Sequence, residues 1–165
     1  MLFDNPEFVR LVRTKLRGKS VIILGVSSAA IFGGLLAILQ YGINQHNDLY
    51  TGYFFATVGI QCGLGSLYAL MLASQNITME KEKNTYDFQR LVAMGPWRLG
   101  LGKLMGAACE AYVGIGVGAF FAFVPVMAGV IPSLVWLKAQ IVVVVFTFVV
   151  TSFGLMASSI VAKTA

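Results

Sequence analysis

The 23 residues VIILGVSSAAIFGGLLAILQYGI, from Val21 to Ile43, contain no charged side chain. The apolar core of a bilayer is about 30 Å thick, and a helix that rises about 1.5 Å per residue crosses it in about 20 residues. This stretch has both the length and the composition that such a crossing requires. It therefore predicts a membrane-spanning helix.

Three further apolar stretches follow, from about 52 to 74, 104 to 131 and 134 to 161, and Glu110 and Lys138 are the only charged residues inside them. Of the 165 residues, 58% are hydrophobic and 12% are charged, which is too few charges to cover a soluble domain. The sequence predicts an all-α, polytopic membrane protein, with residues 1–20 preceding a transmembrane domain of residues 21–165.

The basic residues predict the orientation of the chain. Eleven of the twelve Lys and Arg residues precede the first span, separate the second and third spans, or follow the fourth. Basic flanks stay on the cytoplasmic side, so we expect a multi-pass protein of the cell membrane with both termini in the cytoplasm. Because these residues lie at the ends of apolar runs, lipid headgroups explain them better than nucleic acid.

The segment 1–20 has the pattern of an amphipathic helix. Asn5 is a good N-cap, Pro6 suits the first helical turn, and Gly18 can end the helix. Apolar side chains gather on one face, which predicts a helix lying at the membrane interface. A simple positive flank that fixes topology is the alternative. The interface residues that we expect are Arg10, Arg13, Arg17 and, before the third span, Lys103.

The segment 76–103 is too long for a simple connector between two spans. Its charges alternate in sign, and apolar residues then recur at helical spacing until Gly95 and Pro96. This pattern predicts a short cytoplasmic helix between spans 2 and 3. Such a segment needs a docking surface or a partner.

The same segment resembles the ABC-2 type family of ABC transporter permeases. The resemblance lies in the pattern Ser74-x-x-Ile77-Thr78-x-Glu80-Lys81-Glu82-x-x-Thr85, followed by Leu91, Pro96 and Gly102-Lys103. The opening Asn5-Pro6 and the basic string from Arg13 to Gly18 also look like that family. Motifs cover about the first 110 residues, and only hydropathy covers the remainder.

The resemblance implies a permease subunit that couples ATP hydrolysis by a separate ATPase to substrate export. No cofactor is then expected on this chain, and ATP and Mg are expected on the ATPase. Acidic residues of the loop would pair with basic residues of the ATPase, apolar residues would fill a slot, and the Thr would cap or orient the helix. The implied coupling residues are Glu80, Glu82, Thr85, Asp87, Phe88, Leu91 and Pro96.

Two features depart from the family pattern. Asn84 stands where Gly is common, which is tolerable because Asn also adopts left-handed turns. Family members usually have six spans, whereas this chain has four. Either the sequence is a piece of a longer protein, or it is a minimal subunit that pairs with a second copy or a companion permease.

The sequence predicts no catalytic or metal site. A phosphate-binding loop of the form Gly-x4-Gly-Lys-Ser/Thr is missing, so the chain is not expected to be an enzyme. Cys62 and Cys109 are far apart, and His46 is the only histidine, in the predicted external turn. These residues make neither a metal-ligand pair nor a catalytic set.

Glu110 is the candidate polar residue inside the membrane. An acid in a span is costly and commonly functional, but this one lies about two turns from Lys103 on the same predicted helix face. A structural pairing at the interface is therefore the other interpretation.

Two other classes of function are open. A non-transporting scaffold or anchor could recruit a cytoplasmic protein through segment 76–103. A four-span channel is disfavoured, because the first two spans carry few polar residues.

The predicted orientation can be tested with single cysteines at positions 47 and 84, in a background that lacks Cys62 and Cys109. A membrane-impermeant thiol reagent applied to intact cells should label position 47 and leave position 84 unlabelled, because only the first loop is external. The reverse labelling pattern would contradict the orientation.

Overall fold

The computed structural model describes residues 5–42, 46–82 and 95–161, and within these ranges every regular element is helical. A π-helical turn, Gln61–Gly65, joins the third and fourth helices without a break. The helices are α1 Pro6–Lys15, α2 Gly18–Gly42, α3 His46–Ile60, α4 Ser66–Glu82, α5 Pro96–Ala107, α6 Cys109–Ala122, α7 Val124–Met127 and α8 Ser133–Val161.

The four predicted spans are confirmed. The helical segments that are long and apolar enough to cross a membrane are Lys19–Tyr41 (span 1), Asn47–Met79 (span 2), Cys109–Met127 (span 3) and Ser133–Ser159 (span 4). The all-α class is therefore confirmed with the number of spans that hydropathy predicts. Span 2 is longer than predicted, because its helix continues past residue 74 to Glu82.

Spans 1 and 3 run parallel. Gly114 faces Ser28 and Gly118 faces Phe32, so the residue numbers rise together along the two helices. The rings of Phe32 and Phe121 stack further along the same interface.

Spans 2 and 4 are also parallel. Ser66 and Thr147 share a buried hydrogen bond of 3.0 Å, and Gly154 lies against the backbone of Leu70. Span 2 is antiparallel to span 3, since Gly65 faces Ile115 and Gln61 faces Gly118. Span 2 is thus the element that joins the two parallel pairs.

The predicted start of the N-terminal helix is confirmed. The side chain of Asn5 accepts hydrogen bonds from the backbone N–H groups of Glu7 and Phe8, and Pro6 is the first helical residue. The cap uses N–H groups that have no partner inside a helix.

α1 packs against α5 rather than presenting its whole apolar face to lipid. Leu11 is only 6% exposed and lies against Gly106, where an added Cβ would approach the Leu11 Cβ to 2.8 Å. Gly102 lies equally close to Asn5. The Gly-x3-Gly spacing on α5 brings the two helices together, and we name this pair the α1–α5 layer. The end of the bundle that carries it is the basic end.

The predicted third span, 104–131, is interrupted twice. Ala108 leaves the helical conformation, with φ −98° and ψ 11°, and so separates α5 from α6. A second break falls at Phe123, two residues before Pro125, as a proline predicts. The indole N–H of Trp136 donates to the carbonyl of Ala119, which satisfies an acceptor next to that break. The helical part ends at Met127, and Gly129 follows with a left-handed φ of 73°.

A substitution at Gly106 tests the α1–α5 layer. Gly106→Val should destabilise the layer by about 1–3 kcal/mol, because the new side chain overlaps Leu11. Limited proteolysis at the basic residues of α1, in detergent, should become faster. Gly100→Val is the matched control, since it adds the same side chain to the same helix where no atom of the described residues lies within 4 Å of the new Cβ. If α1 were cleaved at the same rate in both variants, the α1–α5 layer would not be close-packed at Gly106.

Candidate functional site

The segment implied in ATPase coupling leaves the bundle on a continuous helix. Ile77 is buried and Thr78 donates its hydroxyl to the Ser74 carbonyl, so the first part of the motif is anchored in span 2. Glu80 and Glu82 fall on the last turn of α4, and Pro96 opens α5. The remaining predicted coupling residues, Thr85, Asp87, Phe88 and Leu91, lie outside the described residues.

The return of this segment is fixed by the α1–α5 layer. The side-chain amide of Asn5 donates to the carbonyl of Arg98, in the first turn of α5. At the other end of α5, the ammonium of Lys15 donates to the Ala107 carbonyl over 3.0 Å. A cation at a helix C-terminus also complements the helix dipole. α5 is therefore held to α1 at both ends.

The predicted interface residues lie in different surroundings. Arg10 forms an ion pair of 2.7 Å with Glu7, whose side chain is buried, while Arg13 and Arg17 are exposed. Lys103 is only 6% exposed and lies on α5. Arg10 and Arg13 are thus exposed on α1, Arg17 is exposed just after it, and Lys103 is inside the protein.

A groove of 240 Å³ lies between spans 1, 2 and 3. Most of its walls are apolar. The groove is open at its rim, where Ile31 and Leu64 are more than half exposed. The polar residues that line it are Ser27, Ser28, Gln61, Tyr68 and Glu110.

Glu110 faces this groove, near the basic end of the bundle. It is the second residue of span 3, and its carboxylate accepts a hydrogen bond of 3.3 Å from the Tyr68 hydroxyl. The shared helix face with Lys103 was a wrong prediction, because the helix breaks at Ala108 between the two residues. Tyr68, which sequence reasoning missed, is the hydrogen-bond partner that the structure provides.

Gln61 is the most deeply buried polar group of the groove. Its side chain is 2% exposed, and neither amide atom has a hydrogen-bond partner among the described residues. It fits because position 118 is Gly, where any Cβ would lie 2.5 Å from the amide nitrogen. A buried amide without a partner is costly inside a membrane. Its occurrence within the π-helical turn is notable, since such turns are frequent at functional sites.

Other polar side chains follow the interior of the bundle away from the groove. The Thr147 hydroxyl is bonded to Ser66 and to the Val143 carbonyl, and Thr151 bonds to the Thr147 carbonyl. Further buried atoms lack a partner within the described part of the chain; they belong to Asn76 and Gln140. The interior of the bundle is more polar than its mean hydropathy suggests.

The polar side chains of the groove are a carboxylate, a phenol, an amide and two hydroxyls. Within residues 5–42, 46–82 and 95–161, no three His, Cys, Asp or Glu side chains come together as a metal site. Cys62 and Cys109 are free thiols. A carboxylate, a phenol and an amide along an apolar groove can recognise a ligand by charge and hydrogen bonds.

The fold and the groove define a polytopic α-helical membrane protein. Comparison of the chain with known protein families, with curated proteins and with solved structures finds no match.

Substitution of two interior polar groups should change stability in opposite directions. Thr147→Val should lower stability by about 1 kcal/mol, because it removes the buried bond to Ser66. Gln61→Met, of similar volume, should leave stability unchanged or raise it by about 1 kcal/mol, because it removes an unpartnered amide. Thermal unfolding of the purified variants in one detergent measures both. A large loss of stability in Gln61→Met would mean that the amide has a partner after all.

Proposed function

We propose that the chain is the permease subunit of an ABC-2 type transporter, which couples ATP hydrolysis by a separate ATPase subunit to export. The observation that carries the proposal is the sequence from Ile77 to Thr85, with Pro96 and Gly102-Lys103 after it. ATP and Mg belong to the ATPase in this proposal. The bilayer and the ATPase are the partners, and nucleic acid is not one.

The arrangement of the described helices supports a coupling role for the loop. On one side, the helix that carries Glu80 and Glu82 continues without a break into span 2, which packs on the other spans. On the other side, α5 is held to α1 and leads through Ala108 into span 3. A push on the residues between these helices would therefore act on spans 2 and 3 together, as rigid elements transmit displacement.

The proposal places the basic end in the cytoplasm of the cell, with both termini there. Exposed Arg13 and Arg17 would then lie at the level of anionic headgroups, which attract such cations. The acidic residues of the loop would meet basic residues of the ATPase, which gives register as well as attraction.

We further propose that the chain works with a second copy or with a companion permease. Of the three Gly-x3-Gly pairs in the sequence, those at 102/106 and 114/118 are covered by α1 and span 1. At the third pair, Gly59 and Gly63, no atom of the described part of the chain lies within 4 Å of where a Cβ would stand, and both residues are exposed. Such a pair allows another helix to approach span 2 closely.

The docking proposal is tested by reversing two charges. A tagged chain carrying Glu80→Lys and Glu82→Lys should recover much less of a Walker-motif ATPase from native membranes than the unmodified chain does. Like charges at a complementary contact cost on the order of several kcal/mol, so the loss should exceed tenfold. ATPase recovery per mole of tagged chain, by mass spectrometry, is the measurement.

The matched control is Asp48→Lys, which reverses an exposed acid at the opposite end of the bundle. It should leave ATPase recovery unchanged. Recovery of a Walker-motif ATPase at equal levels with all three chains would refute docking through these acids. Recovery of a different protein that the double reversal releases would favour the scaffold or anchor.

A further inference from the structure

The groove between spans 1, 2 and 3 has a direction. Its lining begins near the basic end at Leu24, Tyr68 and Glu110, and it ends deeper in the membrane at Phe32, Gln61 and Ile115. The nine residues from Leu24 to Phe32 correspond to eight steps, or about 12 Å, along a helix axis. The groove therefore runs from the edge of the membrane-spanning region toward its middle.

Its carboxylate and its amide lie at opposite ends. At the shallow end, the Glu110 carboxylate and the Tyr68 hydroxyl are 3.3 Å apart. At the deep end is the Gln61 amide, 98% buried and unpartnered within the described chain. Between them the walls are formed by aliphatic side chains, by Ala111 and Gly114, and by Ser27 and Ser28; the Ser27 hydroxyl donates to the Leu24 carbonyl.

We propose that this groove binds a hydrophobic cation, an amine or quaternary ammonium carrying an unbranched apolar body. The cationic group lies at Glu110, where it gains a carboxylate at short range that the Tyr68 hydroxyl holds in place. The apolar body follows the groove toward Gln61. An amphiphile with a phosphate or sulfate head is rejected, because the shallow end of the groove carries a negative charge.

The structure favours a ligand over a purely structural role for these groups. A structural role for Glu110 would be complete with the Tyr68 hydrogen bond, and it would not explain the open volume beside the pair. If packing were the only requirement here, side chains that fill the cavity would stabilise the bundle better than an open groove does. The site is independent of ATPase docking, so the isolated chain suffices to test it.

Equilibrium binding of radiolabelled decyltrimethylammonium to the purified chain in nanodiscs of zwitterionic lipid tests the proposal. Binding to empty nanodiscs is subtracted, because the probe also partitions into lipid. We expect saturable binding at one site per chain, and no saturable binding of decyl sulfate or decanol. If the unmodified chain bound decyl sulfate as well as decyltrimethylammonium, that result alone would overturn the proposal.

Two pairs of variants locate the site. Glu110→Gln should weaken binding roughly 10- to 100-fold, as expected for loss of a charged hydrogen-bonding partner, whereas Asp48→Asn removes the same charge at the far end and should not weaken it. Gly114→Leu fills the groove and should abolish binding. Gly116→Leu, on an exposed face with no atom within 4 Å, should bind normally. Full affinity in Glu110→Gln or Gly114→Leu refutes the site.

A competition arm separates the two sources of such a ligand. A single-chain lipid amine built into the nanodisc should displace the probe if the groove is filled from the bilayer. If only amphiphiles added to the aqueous phase displace it, the ligand enters from solution at the basic end. Either result supports the cation site. If neither the lipid amine nor the added amphiphiles displace the probe, the proposal is contradicted.

Discussion

The bundle depends on the contact of span 2 with its neighbours at glycine residues. Lipid chains are as apolar as the helix surfaces, so burial of apolar area does not hold membrane helices together. Close approach does, and it occurs where Gly154 meets the backbone of Leu70, where Gly65 meets Ile115, and where Gly118 meets Gln61 and Phe32. The groove and the interior polar groups both follow from where these contacts place span 2.

Most of the fold can be predicted from local sequence. Four spans follow from uninterrupted apolar length, the start of α1 follows from Asn5 and Pro6, and the interruption of span 3 follows from Pro125. These features are decided within a few residues along the chain. By contrast, the break at Ala108 has no breaker residue, and it lies where α5 stays against α1 while α6 enters the bundle. Tertiary packing decides it, and local propensity carries no sign of it.

The candidate site was predictable only in part. Glu110 is recognisable because an acid within a span is rare, but its contact with Tyr68 depends on the antiparallel register of spans 2 and 3, which hydropathy does not contain. Gln61 could be seen as a polar residue in an apolar run, yet its burial depends on Gly118, 57 positions away in the chain. The coupling residues rest on a resemblance of motifs, and four of the seven, Thr85, Asp87, Phe88 and Leu91, lie outside the described residues.

The π-helical turn at Gln61–Gly65 has the same effect as one extra residue in an otherwise regular helix. One residue corresponds to about 100° of rotation in an α-helix. A π turn absorbs that extra residue locally, so deleting one residue within it would leave a regular α-helix whose two halves keep their relative rotation, with Ser66 still facing Thr147 and Gln61 still facing Gly118. Deleting one residue elsewhere between two contacts of span 2 would turn one half by that angle relative to the other and separate one set of contacts. In-frame loss of one codon is therefore tolerated best inside this turn, although hydropathy would register no difference between the two deletions.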